Sequence, residues 1–149
     1  MTKILMVCLG NICRSPLAEG ILKSKLDPNK FFVDSAGTGN WHVGKAPDHR
    51  SIAIAKKYKL DISSQKGRQI QLSDFDEFDI IYAMDSSNCE HLIEMAPNET
   101  AKAKIKLILD AVFPGEKVDV PDPYYGTENG FEQTYQMLDE VCIAISKKL

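Results

Sequence analysis

An unbroken apolar run, Ile4-Leu5-Met6-Val7, opens the chain between Lys3 and Cys8. A short run with no polar alternation predicts a strand buried on both faces. Ser15 and Pro16 then start a helix, Ser15 as its N-cap and Pro16 at the first helical position, where the missing N–H costs nothing. Leu17, Ile21 and Leu22 share one face of that helix as far as about Leu26, and Asp27-Pro28-Asn29 stops it. Phe31-Phe32-Val33 predicts a second strand, closed by Ser35-Ala36-Gly37-Thr38-Gly39. A loop over 40–47 leads to a helix over about 48–58, with Asp48 as N-cap and Ile52, Ala53 and Ala55 facing inward. Ile80-Ile81-Tyr82-Ala83-Met84 reads as a third buried strand, and Asp85-Ser86-Ser87 starts a helix carrying Leu92 and Ile93 inward. Ile105-Lys106-Leu107-Ile108-Leu109 alternates in a way that suits a fourth strand or a short helix. A long loop through Pro114, Pro121 and Pro123 precedes a final helix over about 130–147. Strands alternating with helices predict an α/β fold: one three-layer domain over 1–149, a four-stranded parallel sheet with helices on both faces.

Composition narrows the class. The 149 residues, 44% of them hydrophobic, supply one sizeable core and exclude a second domain, a solenoid or a mainly disordered chain. The apolar run at 4–7 is far too short for a secretion signal or a membrane span. The expected location is therefore the cytoplasm, with the chain starting at Met1 and no membrane or nucleic-acid partner. Four cysteines in such a chain are reactive or packed thiols rather than a disulfide framework. Residues 1–75 carry 12 Lys and Arg against 6 Asp and Glu, whereas residues 76–149 carry 6 against 15. Either these charges mix over a folded surface, or anion chemistry belongs to the first half.

In an α/β sheet ligands gather at the carboxyl ends of the strands, which singles out Cys8-Leu9-Gly10-Asn11-Ile12-Cys13-Arg14-Ser15 between the first strand and the first helix. Its backbone N–H groups and the adjacent helix N-terminus suit a tetrahedral oxyanion. Cys8 would sit beneath that anion, Arg14 would grip two of its oxygens, and Ser15 would add a hydroxyl beside the sulfur. A cysteine and an arginine at this spacing are common by themselves. The preceding strand, the Gly10-Asn11 turn and the Ser15-Pro16 helix start make the combination specific. A nucleotide-binding loop is excluded by the lack of a Gly-Lys-Ser/Thr ending, and no metal is expected, since Cys8 and Cys13 lack metal-ligand spacing and no histidine is placed as a partner.

Val7-Cys8-Leu9-Gly10-Asn11-Ile12-Cys13-Arg14-Ser15-Pro16-Leu17-Ala18-Glu19 resembles the signature of the low-molecular-weight protein tyrosine phosphatases. Asp34-Ser35-Ala36-Gly37-Thr38, Asn40-Trp41-His42-Val43-Gly44, Pro47-Asp48 and Asp122-Pro123-Tyr124-Tyr125-Gly126 resemble that family's later landmarks, in order, so the resemblance spans nearly the whole chain. It implies a metal-independent, cofactor-free hydrolysis of phosphotyrosine through a cysteinyl-phosphate, inhibited by phosphate-like oxyanions. Cys8 is then the nucleophile. Leu9, Gly10, Asn11, Ile12, Cys13 and Arg14 bind phosphate, Asn11 and Ser15 support the loop, and Asp122 is general acid and then general base. Asn11 is expected in the left-handed conformation that Asn tolerates. Trp41, Tyr124 and Tyr125 line the pocket for the substrate ring. The resemblance departs at Gln65, which stands about where many relatives carry a histidine that sits behind the loop and bonds the Asn; Gln can donate and accept, so the loop support can survive the change.

Two other readings stay open. Cys13 either packs or forms a reversible disulfide with Cys8 that protects the nucleophile. A thioredoxin-coupled arsenate reductase of similar fold would need relay thiols; Cys89 lies near such a place, but Cys142 falls in the last helix. A non-catalytic phosphotyrosine-binding module would be expected to have lost Cys8, Arg14 or Asp122, and all three are present.

Overall fold

In the computed structural model, which describes residues 1–125 and 128–149 apart from the side chains of 125 and 128, four parallel strands form one sheet in the order β2-β1-β3-β4. The strands are β1 (Thr2–Cys8), β2 (Phe31–Gly37), β3 (Ile80–Ala83) and β4 (Ile105–Leu107), joined by helices α1 (Arg14–Lys23), α2 (His49–Lys57), α3 (Asp74–Glu77), α4 (Ser86–Met95) and α5 (Glu99–Ala103), with α6 (Glu128–Lys148) last. β1 is central, pairing with β2 from Thr2↔Phe31 to Cys8↔Gly37 and with β3 from Ile4↔Ile80 to Val7↔Ala83. This position explains its unbroken apolar run: alternate side chains enter two different cores.

Ile4, Met6 and Cys8 pack with Leu17, Ile21 and Leu22 of α1, Ala55 of α2 and Leu138, Val141 and Ile145 of α6. Leu5 and Val7 face the opposite layer, with Phe75 of α3, Leu92 of α4 and Ala101 of α5. The 21 residues of α6 give a rod of about 31 Å. Its buried Phe131, Tyr135, Leu138, Val141, Cys142 and Ile145 recur at three- and four-residue spacing along one stripe.

Several boundaries differ from the expectations above. α1 starts two residues early, at Arg14 rather than Pro16, behind an N-cap Cys13 that makes no side-chain cap, so Ser15 is not the cap. It ends at Lys23 rather than Leu26, where the Ser24 hydroxyl turns back to donate to the Ile21 carbonyl at 2.6 Å. β2 continues through Ser35-Ala36-Gly37, a poor strand sequence, because pairing with β1 and a 2.6 Å bond from the Ser35 hydroxyl to buried Glu19 support it. The ambiguous segment 105–109 is divided between β4 and a 3-10 turn, Ile108–Ala111. On α2, Ser51 and Ala55 face inward while Ala53 is exposed, and on α4 Ile93 points out. The short helices α3 and α5 had no expected counterpart; α5 follows the capping Asn98, whose side chain accepts from the Ala101 N–H at 2.8 Å. Among the described residues no helix is long and apolar enough to cross a membrane.

Candidate active site

The strand order reverses direction between β1 and β3, and the crevice beyond their carboxyl ends is where an α/β sheet offers room to a ligand. Cys8 ends β1 at this edge and Asp85 follows β3 at the same edge. From Cys8 the chain curls through Leu9–Cys13 into α1, with Asn11 in the left-handed region at φ 57°. The Asn11 carboxamide holds the curl. Its oxygen accepts the Arg68 N–H at 3.0 Å, which fixes its orientation and turns its nitrogen toward the Ser15 hydroxyl at 2.8 Å. Having accepted from Asn11, that hydroxyl can give its one proton to the Cys8 sulfur, 2.9 Å away, and the Asn11 N–H lies 3.3 Å from the same sulfur.

Behind the loop the carbonyls of Cys8, Leu9 and Ile12 accept from Thr38, Gly39 and Asp48 at 2.8–2.9 Å. Gly37 sits so close that a β-carbon there would lie 2.9 Å from the Leu9 oxygen and 3.1 Å from the Asn11 nitrogen, so the position requires glycine.

Arg14 is only 3% exposed, and its guanidinium is tied at Nη1 to Asp85 Oδ2 at 2.6 Å and to the Val120 carbonyl at 3.1 Å. Nη2 lies 3.6 Å from Asp122 Oδ2. Burial opposes the charge, but Cys8, Asp85 and Asp122 outweigh it and push the Arg14 pKa above its ordinary value. Asp85 is itself immobilised, since its other oxygen caps α4 by accepting the Asn88 N–H at 2.7 Å. Sequence reasoning missed Asp85; the strand order, which places the residue after β3 beside the loop after β1, is the signal that locates it.

Cys8, Arg14 and Asp122 open onto one cavity of about 400 Å³, walled by loop residues Leu9, Gly10, Ile12 and Cys13 and by Trp41, His42 and Tyr124. Trp41 is 64% exposed and Tyr124 38%, both at the mouth. His42 is a wall residue the sequence did not single out. The Tyr125 side chain lies outside the described residues. Cys13 is buried beside Cys8, and burial first, then Asp48, Cys8 and Asp122, push its thiol up to about 12, so it stays protonated at neutral pH. The Gln65 amide donates to the Pro16 carbonyl at 3.1 Å, near the start of α1, while the Asn11 oxygen takes the backbone N–H of Arg68. Arg68 in turn is fixed by Asp34 at 3.1 Å and by two bonds to Asp74 at 3.0 and 3.1 Å. Cys89 belongs to α4 and packs on the α3–α5 side of the sheet, while Cys142 is buried in α6. Neither borders the cavity. Among the described residues no group of three or more His, Cys, Asp or Glu side chains is placed to hold a metal ion.

Comparison with known proteins identifies relatives along nearly the whole chain. The profile of the family "Low molecular weight phosphotyrosine protein phosphatase" matches residues 3–149. A low molecular weight phosphotyrosine protein phosphatase of Schizosaccharomyces pombe is 41% identical over 148 residues, covering 93% of this chain and 94% of that protein. The crystal structure of a protein tyrosine phosphatase from Entamoeba histolytica, with Hepes in its active site, superposes with a TM-score of 0.93 at 38% identity, covering 99% of this chain and 96% of that one. Wzb of Vibrio vulnificus in complex with benzylphosphonate superposes with a TM-score of 0.90 at 34% identity, covering 99% of each chain. The chain belongs to the low molecular weight phosphotyrosine protein phosphatases, a family of cysteine-dependent phosphatases.

Proposed function

We propose that this phosphatase hydrolyses phosphotyrosine on proteins through a cysteinyl-phosphate, with Cys8 as nucleophile and Asp122 as the proton carrier. The carrying observation is the convergence of a sulfur faced by two donors, a buried guanidinium and a partly exposed carboxylate on one cavity. In the first step the Cys8 sulfur attacks phosphorus, an S–P bond forms, the P–O(aryl) bond breaks, and Asp122 gives its proton to the departing phenolate. Arg14 and the loop amides from Leu9 to Arg14 hold the three non-bridging oxygens and stabilise the charge that grows on them. In the second step Asp122 takes a proton from water, the water oxygen attacks phosphorus, and the S–P bond breaks to release phosphate and the thiolate.

The wall supports an aromatic substrate. Trp41 and Tyr124 offer ring surface to a phenyl group, on the same cavity whose wall carries the Cys8 loop. Inorganic phosphate and related oxyanions would occupy the same cradle and compete. The related Vibrio vulnificus protein was crystallised with benzylphosphonate, a ligand that joins a ring to a phosphate-like head.

The test uses purified protein without added metal. Wild type is expected to hydrolyse aryl phosphates and phosphotyrosine peptides, and Cys8→Ser to lose turnover while still binding phosphate. Asp122→Ala is expected to lose about two to four powers of ten for a tyrosine-like leaving group and much less for an activated phenol. A Cys8→Ser variant that still turns over would remove the nucleophile assignment.

A further inference from the structure

Arg50 is outside the cavity wall, yet it connects the phosphate loop to the segment that carries Asp122. The connection starts at the Ile12 carbonyl, which accepts the Asp48 N–H at 2.8 Å. Asp48 caps α2, and Arg50 grips its carboxylate with two parallel bonds, Nε to Oδ1 and Nη2 to Oδ2, each 3.0 Å. Burial alone would raise the Asp48 pKa, but these bonds and the Arg50 N–H lower it below its ordinary value, so the pair is fully ionised at neutral pH. From the same Nη2 the guanidinium donates onward to the Tyr124 carbonyl at 3.1 Å. Its carbon lies 4.6 Å from the Phe131 ring centre and 5.6 Å from that of Tyr124. The Tyr124 N–H then donates to Asp122 Oδ1 at 3.0 Å.

The start of the Asp122 segment is already fastened at the sheet edge. The Val120 N–H donates to the Met84 carbonyl at 2.9 Å, and Asp119 accepts both the N–H and the hydroxyl of Ser86, at 2.9 and 2.8 Å. The far end is different: the Asp122 carboxylate is a third exposed, and its 3.6 Å approach to Arg14 is too long to set its direction. The carboxylate takes its direction from the Tyr124 N–H, and Arg50 holds the carbonyl of that same residue.

We propose that Arg50 is a positioning residue for proton transfer: by clamping the Tyr124 carbonyl to Asp48, and through Asp48 to the phosphate loop, it holds the Asp122 carboxyl at the distance the leaving oxygen requires. The proposal rests on Asp122 being the general acid. Only a guanidinium fits the post. It presents two donors to one carboxylate and a third contact to a carbonyl in a single plane, and keeps a flat face for the rings; an ammonium supplies the charge without the plane.

The experiment measures kcat/KM for a series of aryl phosphates, from activated phenols to phenols as basic as tyrosine, with wild type, Arg50→Gln, Arg50→Lys, Asp122→Ala and the double variant Arg50→Gln/Asp122→Ala. kcat/KM reports the first chemical step, where the leaving group departs. Misplacing a reacting group by about 1 Å costs on the order of a hundredfold. Arg50→Gln is therefore expected to lose tenfold or more for tyrosine-like phenols beyond its loss for activated ones, with a steeper dependence on leaving-group basicity. Arg50→Lys is expected to show the same steepening, and serves as the measurement if Arg50→Gln does not fold. In the Asp122→Ala background, Arg50→Gln is expected to add less than a twofold loss. A loss equal for all phenols, or an undiminished loss in the Asp122→Ala background, overturns the positioning role. If Asp122→Ala is steep while both Arg50 variants match wild type, the positioning role alone falls. If Asp122→Ala itself shows no dependence on the leaving group, the general-acid assignment falls first.

Discussion

Replacing Asn11 separates the two things that residue contributes to the phosphate loop. Its backbone occupies φ 57°, and its carboxamide joins the Arg68 N–H to the Ser15 hydroxyl within a residue only 3% exposed. Asn11→Ala removes both bonds and leaves the Arg68 N–H without its acceptor, a loss of about 1–3 kcal/mol for an abandoned donor. The left-handed backbone adds about 1–2 kcal/mol for alanine, which has no polar group to offset the clash of its β-carbon. The expected destabilisation is therefore about 2–5 kcal/mol. Asn11→Gly loses the same bonds but is at ease with a positive φ, so it should be more stable than Asn11→Ala by about 1 kcal/mol. Urea unfolding of the three proteins measures both differences, provided the slope of free energy on urea is unchanged. Both variants should also lose turnover, because Ser15 and the Asn11 N–H no longer hold their places beside the Cys8 sulfur. An alanine variant as stable as the glycine variant would refute the backbone part, and a destabilisation below about 1 kcal/mol for alanine would refute the whole account.

Three further outcomes follow from other contacts. Asp85→Asn keeps an acceptor near Arg14 but removes the counter-charge at 2.6 Å; at about 1.5–3 kcal/mol for a bond to a charged group, the melting temperature should fall by about 3–12 °C, and phosphate should restore more of it than it adds to wild type. Equal gains from phosphate in both proteins would show that Asp85 does not shield the guanidinium. Glu19, whose pKa is raised chiefly by burial and only partly brought back by Lys23 and Ser35, stabilises the fold most when protonated, below its unfolded pKa, and that contribution is lost as the pH rises through its folded value. Glu19→Gln should therefore gain stability relative to wild type in urea titrations as the pH rises from about 4 to 7, and a constant difference would refute this. Hydrogen peroxide can oxidise Cys8 to a sulfenic acid, which the Cys13 sulfur would attack with loss of water to give a disulfide that dithiothreitol reduces. Wild type should thus recover more activity after peroxide and dithiothreitol than Cys13→Ser, and equal recovery would leave Cys13 a packing residue.

The sequence exposes β1 because a strand in the middle of a parallel sheet cannot hide its apolar run, and it exposes the Cys8–Arg14 loop because a strand end and a helix start confine it to a few residues. Asp85 was not legible for a complementary reason. Its pairing with Arg14 spans 71 positions and arises only from the β2-β1-β3-β4 order, which local periodicity does not encode. Ser15 misled in an instructive way: its type suits an N-cap, but with Asn11 on one side and Cys8 on the other, its hydroxyl is spent inside the loop. The contact Gln65 makes was not legible either: its amide donates to the Pro16 carbonyl 49 positions away, and the Asn11 oxygen is served by a backbone N–H that no side-chain pattern marks. Arg50 sits on an amphipathic helix whose outer face normally carries basic residues, so nothing local marks it as a connector.

Arg14 begins a helix of one layer of the domain and Asp85 caps a helix of the other, so their bond crosses the edge of the sheet that divides the two cores. An oxyanion held by Arg14 would be felt on both sides of that divide, and local opening of either layer would break the same bond. Amide hydrogen exchange in saturating phosphate should then slow in α4 as well as in α1, although α4 contributes no residue to the cavity wall. The site is in this sense a fastening between the layers, and filling it tightens the whole molecule.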